Sequence, residues 1–466
     1  MNKRPILVLL TSSWISMLGA ALVTFAGFSW LFVLPLNING RGVSNPYIGL
    51  LLFIAIPIVF FAGLALIPIG IALAKRKVVA SLNEIEDRRI AWRRAGIFFA
   101  VMTAANVVIA SQLSYRAVEQ MDTVQFCGAT CHVMKPEFIA HAAMPPHQAV
   151  VCASCHIAPG ATGWLKAKMA GTNQLFAVMF NTFPRPIESA MENNTLVSSV
   201  DTCEQCHARD KAISPRLRVV PSFKDDEANT RTSTVLLMRI ATIHAAHLGP
   251  GIHIRYAAGD KKRQTIPWVQ YTDQTGAARS YLASGASTAS VRSLPTFDMQ
   301  CVDCHNRASH AFELPDRAVN QAMAGGHIAP GLPFIKKEGV ELLKASYSTG
   351  DEAAQNIPAA LTTFYLQKYP DAAVKQGAAI HVAGQMLAAI YQRNVFSDLK
   401  VTWGTYPNNL GHTDDPGCFR CHDASHMTPD NKTIAQDCNG CHQAVAMDEP
   451  SPEILKTLEL TPTQNH

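Results

Sequence analysis

A chain of 466 residues has room for more than one domain, and its 48% apolar content is ordinary for a folded protein. The formal charge of +5 is unevenly spread: residues 1–116 hold 11 basic and 3 acidic residues, a net +8, and the remainder holds 29 and 32, a net −3. A basic excess confined to the first quarter of the chain argues for membrane topology and against a nucleic-acid partner.

Three uncharged runs open the chain: Ile6–Leu34 (29 residues), Tyr47–Ala74 (28) and Ala95–Tyr115 (21). Each is long enough to cross a bilayer as a helix. The first is too long for a cleaved signal peptide and lacks a small-residue cleavage site, so it reads as a retained anchor. Lys3 and Arg4 precede the first run, and only Arg41 follows it. The next loop holds Lys75, Arg76, Lys77, Arg88, Arg89, Arg93 and Arg94, which assigns it to the cytoplasm. An odd number of spans then sends everything after Arg116 outward. The expectation is a multi-pass protein of a bacterial inner membrane with its soluble part in the periplasm, the side on which c-type haem is attached.

Six times along that outer part a cysteine pair is followed at once by a histidine: Cys127/Cys131-His132, Cys152/Cys155-His156, Cys203/Cys206-His207, Cys301/Cys304-His305, Cys418/Cys421-His422 and Cys438/Cys441-His442. These motifs use all 12 cysteines. C-x-x-C-H is the attachment signal for c-type haem: two thiols add to the vinyl groups and the next residue offers an imidazole to the iron. Zinc would not require a histidine after every second cysteine, and disulfides would leave those histidines unexplained. Six covalent haems are therefore expected. The first motif departs, with three residues between its cysteines, yet a bulged loop still delivers both sulfurs.

The gap from His132 to Cys152 is 19 residues and that from His422 to Cys438 is 15, too short for separate protein cores, so the haems themselves are expected to form the core. Between motifs three and four, Thr232–His247 reads as a helix, and Ile252–Leu282 alternates with turn signals as a β-hairpin or small sheet. Leu332–Arg393 is helical in pattern with breaks near Gly350 and Pro370. Asn408–Pro416 is turn-rich, and a short helix is expected near Pro452–Leu458. The fold class is thus mainly α: three transmembrane helices plus a periplasmic multihaem cytochrome c domain with little regular structure and a small β insert. The expected division is an anchor (1–116), haems one to three (117–215), the insert (216–300), haem four (301–320), a helical spacer (321–407) and a dihaem end (408–466).

The motifs use six of the 17 histidines, which leaves enough to close every iron with a second imidazole. His247, on the expected helix, is one candidate, with His244 as its rival. His412 and His426 flank motif five. His147, His253, His327 and His381 read as surface or core residues.

Across residues 95–215 the chain resembles the NapC/NirT/NrfH family of membrane-anchored multihaem quinol dehydrogenases. The match runs from a membrane helix into Phe126-Cys-Gly-Ala-Thr-Cys131-His132-Val-Met134-Lys-Pro-Glu137, then His141, motif two, Leu165–Phe176 and motif three. Motif four, Cys301-Val-Asp-Cys304-His305-Asn-Arg-Ala-Ser-His310, resembles the family's fourth. The resemblance implies Met134 in place of His132 as ligand to the first iron, His141 and His310 as distal ligands, and a quinol site near the membrane. Lys166 or Lys168 would bind the quinol oxygen there, and Asn173 stands where the family has an acidic residue. Three anchor helices, the insert and two C-terminal haems depart from the family and leave the acceptor open. The expected role is transfer of electrons from the quinone pool to a periplasmic cytochrome or reductase. A terminal reductase of a small oxyanion and a haem subunit of a larger respiratory complex are the alternatives. No motif carries lysine in place of histidine, the mark of a catalytic haem in some such reductases.

Overall fold

The computed structural model describes residues 11, 13–38, 56–81, 85–130, 132–207 and 214–460. They fall into two compact units, Met1–His132 and Val133–His466. The first unit holds helices α1 (Trp14–Ile38), α2 (Ile56–Ser81) and α3 (Ile85–Met121). Within α2, Ile56–Ala74 has a mean hydropathy of 2.5 and is, among the described residues, the one helix long and apolar enough to cross a membrane. Trp14–Ser29 is a shorter apolar stretch. The third uncharged run lies inside α3, while Ile6–Leu10 and 39–55 lie outside the described residues.

Helices α1 and α2 pack through small residues. A Cβ on Gly19 would lie 2.7 Å from the Gly63 carbonyl, and one on Gly63 would lie 2.9 Å from that of Gly19. The backbones therefore touch at this crossing. Ser16 donates its hydroxyl to the Ile67 carbonyl at 3.2 Å one turn away.

The second unit is mainly helical with two small antiparallel sheets. Its helices and strands are α4 (Lys135–Ala142), α5 (Gly160–Met179), β1 (Arg216–Phe223), β2 (Arg231–Met238), α6 (Ile240–Leu248), β3 (His253–Ala257), β4 (Trp268–Thr272), β5 (Ala278–Leu282) and β6 (Thr296–Asp298). There follow α7 (Pro315–Ala324), α8 (Ile335–Lys344), α9 (Gly350–Lys368), α10 (Pro370–Lys375), α11 (Gly377–Asn394), β7 (His442–Glu449) and α12 (Glu453–Thr457). The breaks expected near Gly350 and Pro370 appear as the starts of α9 and α10.

Two expectations need correction. Thr232–His247 is not one helix: Arg231–Met238 is a strand, and α6 begins only at Ile240. The strand, which carries the β-branched Thr232, Thr234 and Val235, pairs along all of β1 on one side and with β7 on the other. This long-range pairing decides a segment whose local pattern is ambiguous. Nor do the haem segments supply all of the core. Helices α7 to α11 enclose a dry apolar cluster of their own, in which Val319, Ile328, Leu332, Ile335, Leu343, Ile357, Leu361, Tyr365, Leu387 and Ile390 are fully buried. Leu361 alone, taken out of water, contributes about 1.5–3 kcal/mol.

This helical core is tied to the insert by Asn229. Its amide donates to the carbonyls of Pro330 (3.0 Å) and Leu332 (2.8 Å), and its oxygen accepts from the Lys336 N–H at 2.9 Å. The order β1-β2-β7 joins the insert to the C-terminal end, and β5-β4-β3-β6 forms a second sheet over Ile254, Tyr256, Ile266 and Val269. Both sheets thereby hold the haem motifs in place: β7 begins at the histidine of motif six, and β6 ends three residues before motif four.

Candidate haem sites

Four motifs close the same local turn. The histidine N–H donates to the carbonyl of the first cysteine in His156→Cys152 (3.0 Å), His207→Cys203 (2.8 Å), His305→Cys301 (2.8 Å) and His422→Cys418 (3.1 Å). One such turn sets two thiols three residues apart on one side and the imidazole just beyond them, the arrangement a covalent porphyrin needs. Cys438–Cys441 is likewise one helical turn. In motif one, Phe126–Thr130 is a single π-helical turn, the device by which one extra residue is absorbed into a helix. Cys131 lies outside the described residues.

The second cysteines of motifs two to six, Cys155, Cys206, Cys304, Cys421 and Cys441, are in no disulfide and so are open to haem attachment. Cys155, Cys206, Cys418 and Cys438 are exposed, and Cys127, Cys152, Cys203, Cys301, Cys304, Cys421 and Cys441 are half-buried. Motif three is a short 3₁₀ turn, Cys203–Gln205, and Gln205, Cys206 and His207 are exposed in succession behind it. Only the backbone of Cys206 is held, its N–H donating to Cys203 O at 3.2 Å. A 3₁₀ turn has three residues per turn, so Cys203 and Cys206 lie one above the other on one side, as two thiols that meet one porphyrin must.

Each described motif histidine faces a histidine from elsewhere. The ring centres are 6.2 Å apart for His156 and His310, 6.2 Å for His207 and His147, and 6.2 Å for His305 and His244. They are 5.8 Å apart for His422 and His247, and 6.1 Å for His442 and His412. With each metal–imidazole bond about 2 Å and each ring centre about 1.2 Å behind its nitrogen, two axial imidazoles stand roughly 6.4 Å apart. The donor sets therefore fit five bis-histidine haems. The fit extends to the outer hydrogen bonds. His147 donates Nδ1–H to Ala308 O at 2.9 Å, His247 to Ile243 O at 2.8 Å and His422 to Ala435 O at 2.5 Å. A carbonyl can only accept, so each of these rings keeps its Nε2 lone pair for iron. His412 is oriented by stacking on Phe419, with ring centres 4.2 Å apart. Burial lowers the pKa of His156, His305 and His247 and pushes that of His310 down to about 3, so these rings stay neutral, as ligation requires.

The expected distal set is only partly what is brought together. His310, His247 and His412 stand opposite motif histidines, and so do His147, expected as a surface or core residue, and His244, expected only as a rival. His426 does not. Its Nδ1 faces the Asp423 carboxylate at 2.8 Å and its Nε2 faces Ile266 O at 2.6 Å, so both nitrogens are turned to protein acceptors. His141 is also not opposite a described motif ring. Its Nδ1 meets Ser309 Oγ at 2.5 Å, and its Nε2 is buried with no hydrogen-bond partner. His253, His327 and His381 are exposed. Met134 is half-buried and caps α4, and the side chain of His132 lies outside the described residues. The missed pair had a readable signal. His244 and His247 are three residues apart on one helix, so they share a face, and neither needed to exclude the other.

The segment after motif four gathers several sites. Ala308 O holds His147, Ser309 meets His141, and His310 faces His156. Arg307 is buried beside Glu137 and stacks on the Tyr406 ring at 4.4 Å. Burial raises the Glu137 carboxyl above its ordinary range, against a backbone hydrogen bond and Arg307, which lower it. The Ser199 N–H donates to Gln300 Oε1 at 2.8 Å, joining the segments that lead into motifs three and four.

Lys166, Lys168 and Asn173 all lie on α5. Lys166 and Asn173 are exposed, and the Lys168 ammonium sits 5.4 Å from the centre of the Trp164 ring. The helix exposes Trp164, Leu165, Met169, Leu175 and Phe176.

Residues 91–218 match the model of the NapC/NirT cytochrome c family, N-terminal region. The chain is 36% identical over 420 residues to the cytochrome c-type protein ImcH of Geobacter sulfurreducens, covering 87% of this chain and 82% of that protein. No solved structure matches.

Proposed function

The chain belongs to the NapC/NirT cytochrome c family and is a membrane-associated multihaem cytochrome acting in electron transfer, and from that premise we propose that it oxidises quinol and passes the electrons through six haems to a periplasmic acceptor. The observation that carries this reading is the five-fold facing of motif and non-motif histidines. A terminal reductase needs an open iron, and each of these five positions offers two imidazoles instead. When bound, the haems supply one-electron iron redox chemistry. The protein's own part is to fix the axial rings, keep those of His156, His247, His305 and His310 neutral by burial and orient others through the Nδ1–H donors of His147, His247 and His422.

Three membrane helices would anchor the chain, with the loop Lys75–Arg94 in the cytoplasm and Val133–His466 in the periplasm of the inner membrane. Quinol must lose two protons while electrons leave singly. Lys166 and Lys168 suit the binding of a quinol hydroxyl, with Asn173 donating or accepting beside them. The exposed apolar residues of α5 supply a surface that suits a lipid-borne substrate. The soluble part carries the net negative charge, which favours a basic face on the accepting cytochrome or reductase.

Stopped-flow reduction by a quinol analogue tests the reading. Lys166→Ala or Lys168→Ala is expected to slow it at least ten-fold while dithionite, which needs no quinol pocket, still reduces every haem. Native rates in both variants would place quinol oxidation elsewhere or remove it from this protein.

A further inference from the structure

Helix α6 has nine residues, Ile240–Leu248, and carries two histidines that face different motifs. The His244 ring centre is 6.2 Å from that of His305 in motif four, and the His247 ring centre is 5.8 Å from that of His422 in motif five. Residues three apart on a helix share one face, roughly one turn along. The two imidazoles therefore leave one rigid element side by side. A hydrogen bond ties the start of α6 to motif six, the Arg239 N–H donating to Cys441 O at 2.9 Å, and within the helix His247 Nδ1–H is fixed on Ile243 O at 2.8 Å.

Motifs four and five are also joined directly, on the attachment side. Arg420 is a spacer residue of motif five and Asp303 a spacer residue of motif four. Arg420 Nη2 donates to Asp303 O at 2.6 Å and Nη1 to Arg263 O at 2.9 Å. Arg263 pairs with the Asp303 carboxylate at 3.3 Å, with 9% and 4% of the two side chains exposed. Tyr256 donates its hydroxyl to the same carboxylate and accepts from Arg263 Nη1 at 3.0 Å. Asn409 adds a further donor to Asp303 O at 3.0 Å.

We infer that haems four and five form a coupled pair, clamped between one distal helix that supplies both second axial ligands, His244 and His247, and one proximal knot in which Arg420 ties the two attachment loops together. The inference rests on reading facing rings as axial pairs. Two irons held in one rigid frame, with the buried Arg263–Asp303 pair beside their attachment loops, feel each other's charge, so an electron on one lowers the affinity of the other for the next. The pair would then take up electrons in two linked steps and would sit between the haems of motifs three and six as a single relay.

The test uses the full-length holoprotein in detergent, with haem content confirmed by mass. His244→Ala and His247→Ala are each expected to turn one haem high-spin in the paramagnetic resonance spectrum. Ala245→Pro, which breaks α6 between the two rings, is expected to turn two haems high-spin together, with Ala245→Ser as the silent control. His244→Met keeps two axial ligands, and the potentiometric titration is expected to show two shifted reduction steps. One shifted step, or a proline variant that frees one haem or none, overturns the coupled pair. His310→Ala separates the two levels of the argument. If it frees no haem, the reading of facing rings as axial pairs fails; if it frees one while His244→Ala and His247→Ala free none, the role of α6 fails alone.

Discussion

Replacing Arg420 by methionine should loosen the contact between motifs four and five by an amount that its bonds set. The guanidinium makes three hydrogen bonds to carbonyls: Asp303 O at 2.6 Å, Arg263 O at 2.9 Å and, within its own loop, Gly417 O at 2.9 Å. A hydrogen bond from a charged donor contributes about 1.5–3 kcal/mol net. The loss is less than the sum, because Asp303 O keeps the Asn409 amide at 3.0 Å and methionine preserves the apolar stem. Arg263 O is the acceptor left unmatched. The expected cost is about 2–4 kcal/mol, read from the denaturant midpoint followed by Soret circular dichroism. Arg255→Met is the control. Its partner is Asp298 at 3.5 Å, with 51% and 81% of the side chains exposed, and such surface pairs contribute about 0–1 kcal/mol. If Arg420→Met costs no more than Arg255→Met, the knot is not what holds these loops.

Further outcomes are open to direct measurement. Intact mass after mild denaturation should show six haems, and a mass for five would remove the one on Cys127 and Cys131. A reporter placed within residues 78–87 should be active only in the cytoplasm, and periplasmic activity would reverse the topology. Gly384→Ala should cost about 1–3 kcal/mol by overpacking, because a Cβ there would lie 2.8 Å from the Pro358 backbone across the α9–α11 contact. Gly377→Ala at the start of the same helix points into open space and should cost nothing, and equal midpoints for the two would refute the contact.

What the sequence determined by itself is what is encoded within a few residues. The thiol pair and the following imidazole occupy one turn, so attachment is legible wherever Cys-x-x-Cys-His stands. What surrounds each turn is not: Cys206 of motif three is exposed and Cys304 of motif four half-buried, because what packs around a turn comes from other parts of the chain. The uncharged runs and the basic loop from Lys75 to Arg94 are likewise local counts. The helices from Ile335 to Asn394 announced themselves through period and through breaks at Gly350 and Pro370. Facing rings are another matter. His156 meets a ring 154 positions away, and His422 meets one 175 positions before it, so no local pattern could choose among the spare histidines. Proximity in sequence pointed to His426, yet its two nitrogens are taken by Asp423 and Ile266, while His147 and His244 are carried into place from afar. The strand at Arg231–Met238 had the same cause: its conformation is decided by β1 and β7, which lie on either side of it in the sheet and far apart in the chain. Only the tertiary structure, by bringing the insert against the C-terminal motifs, decided which imidazole faces which.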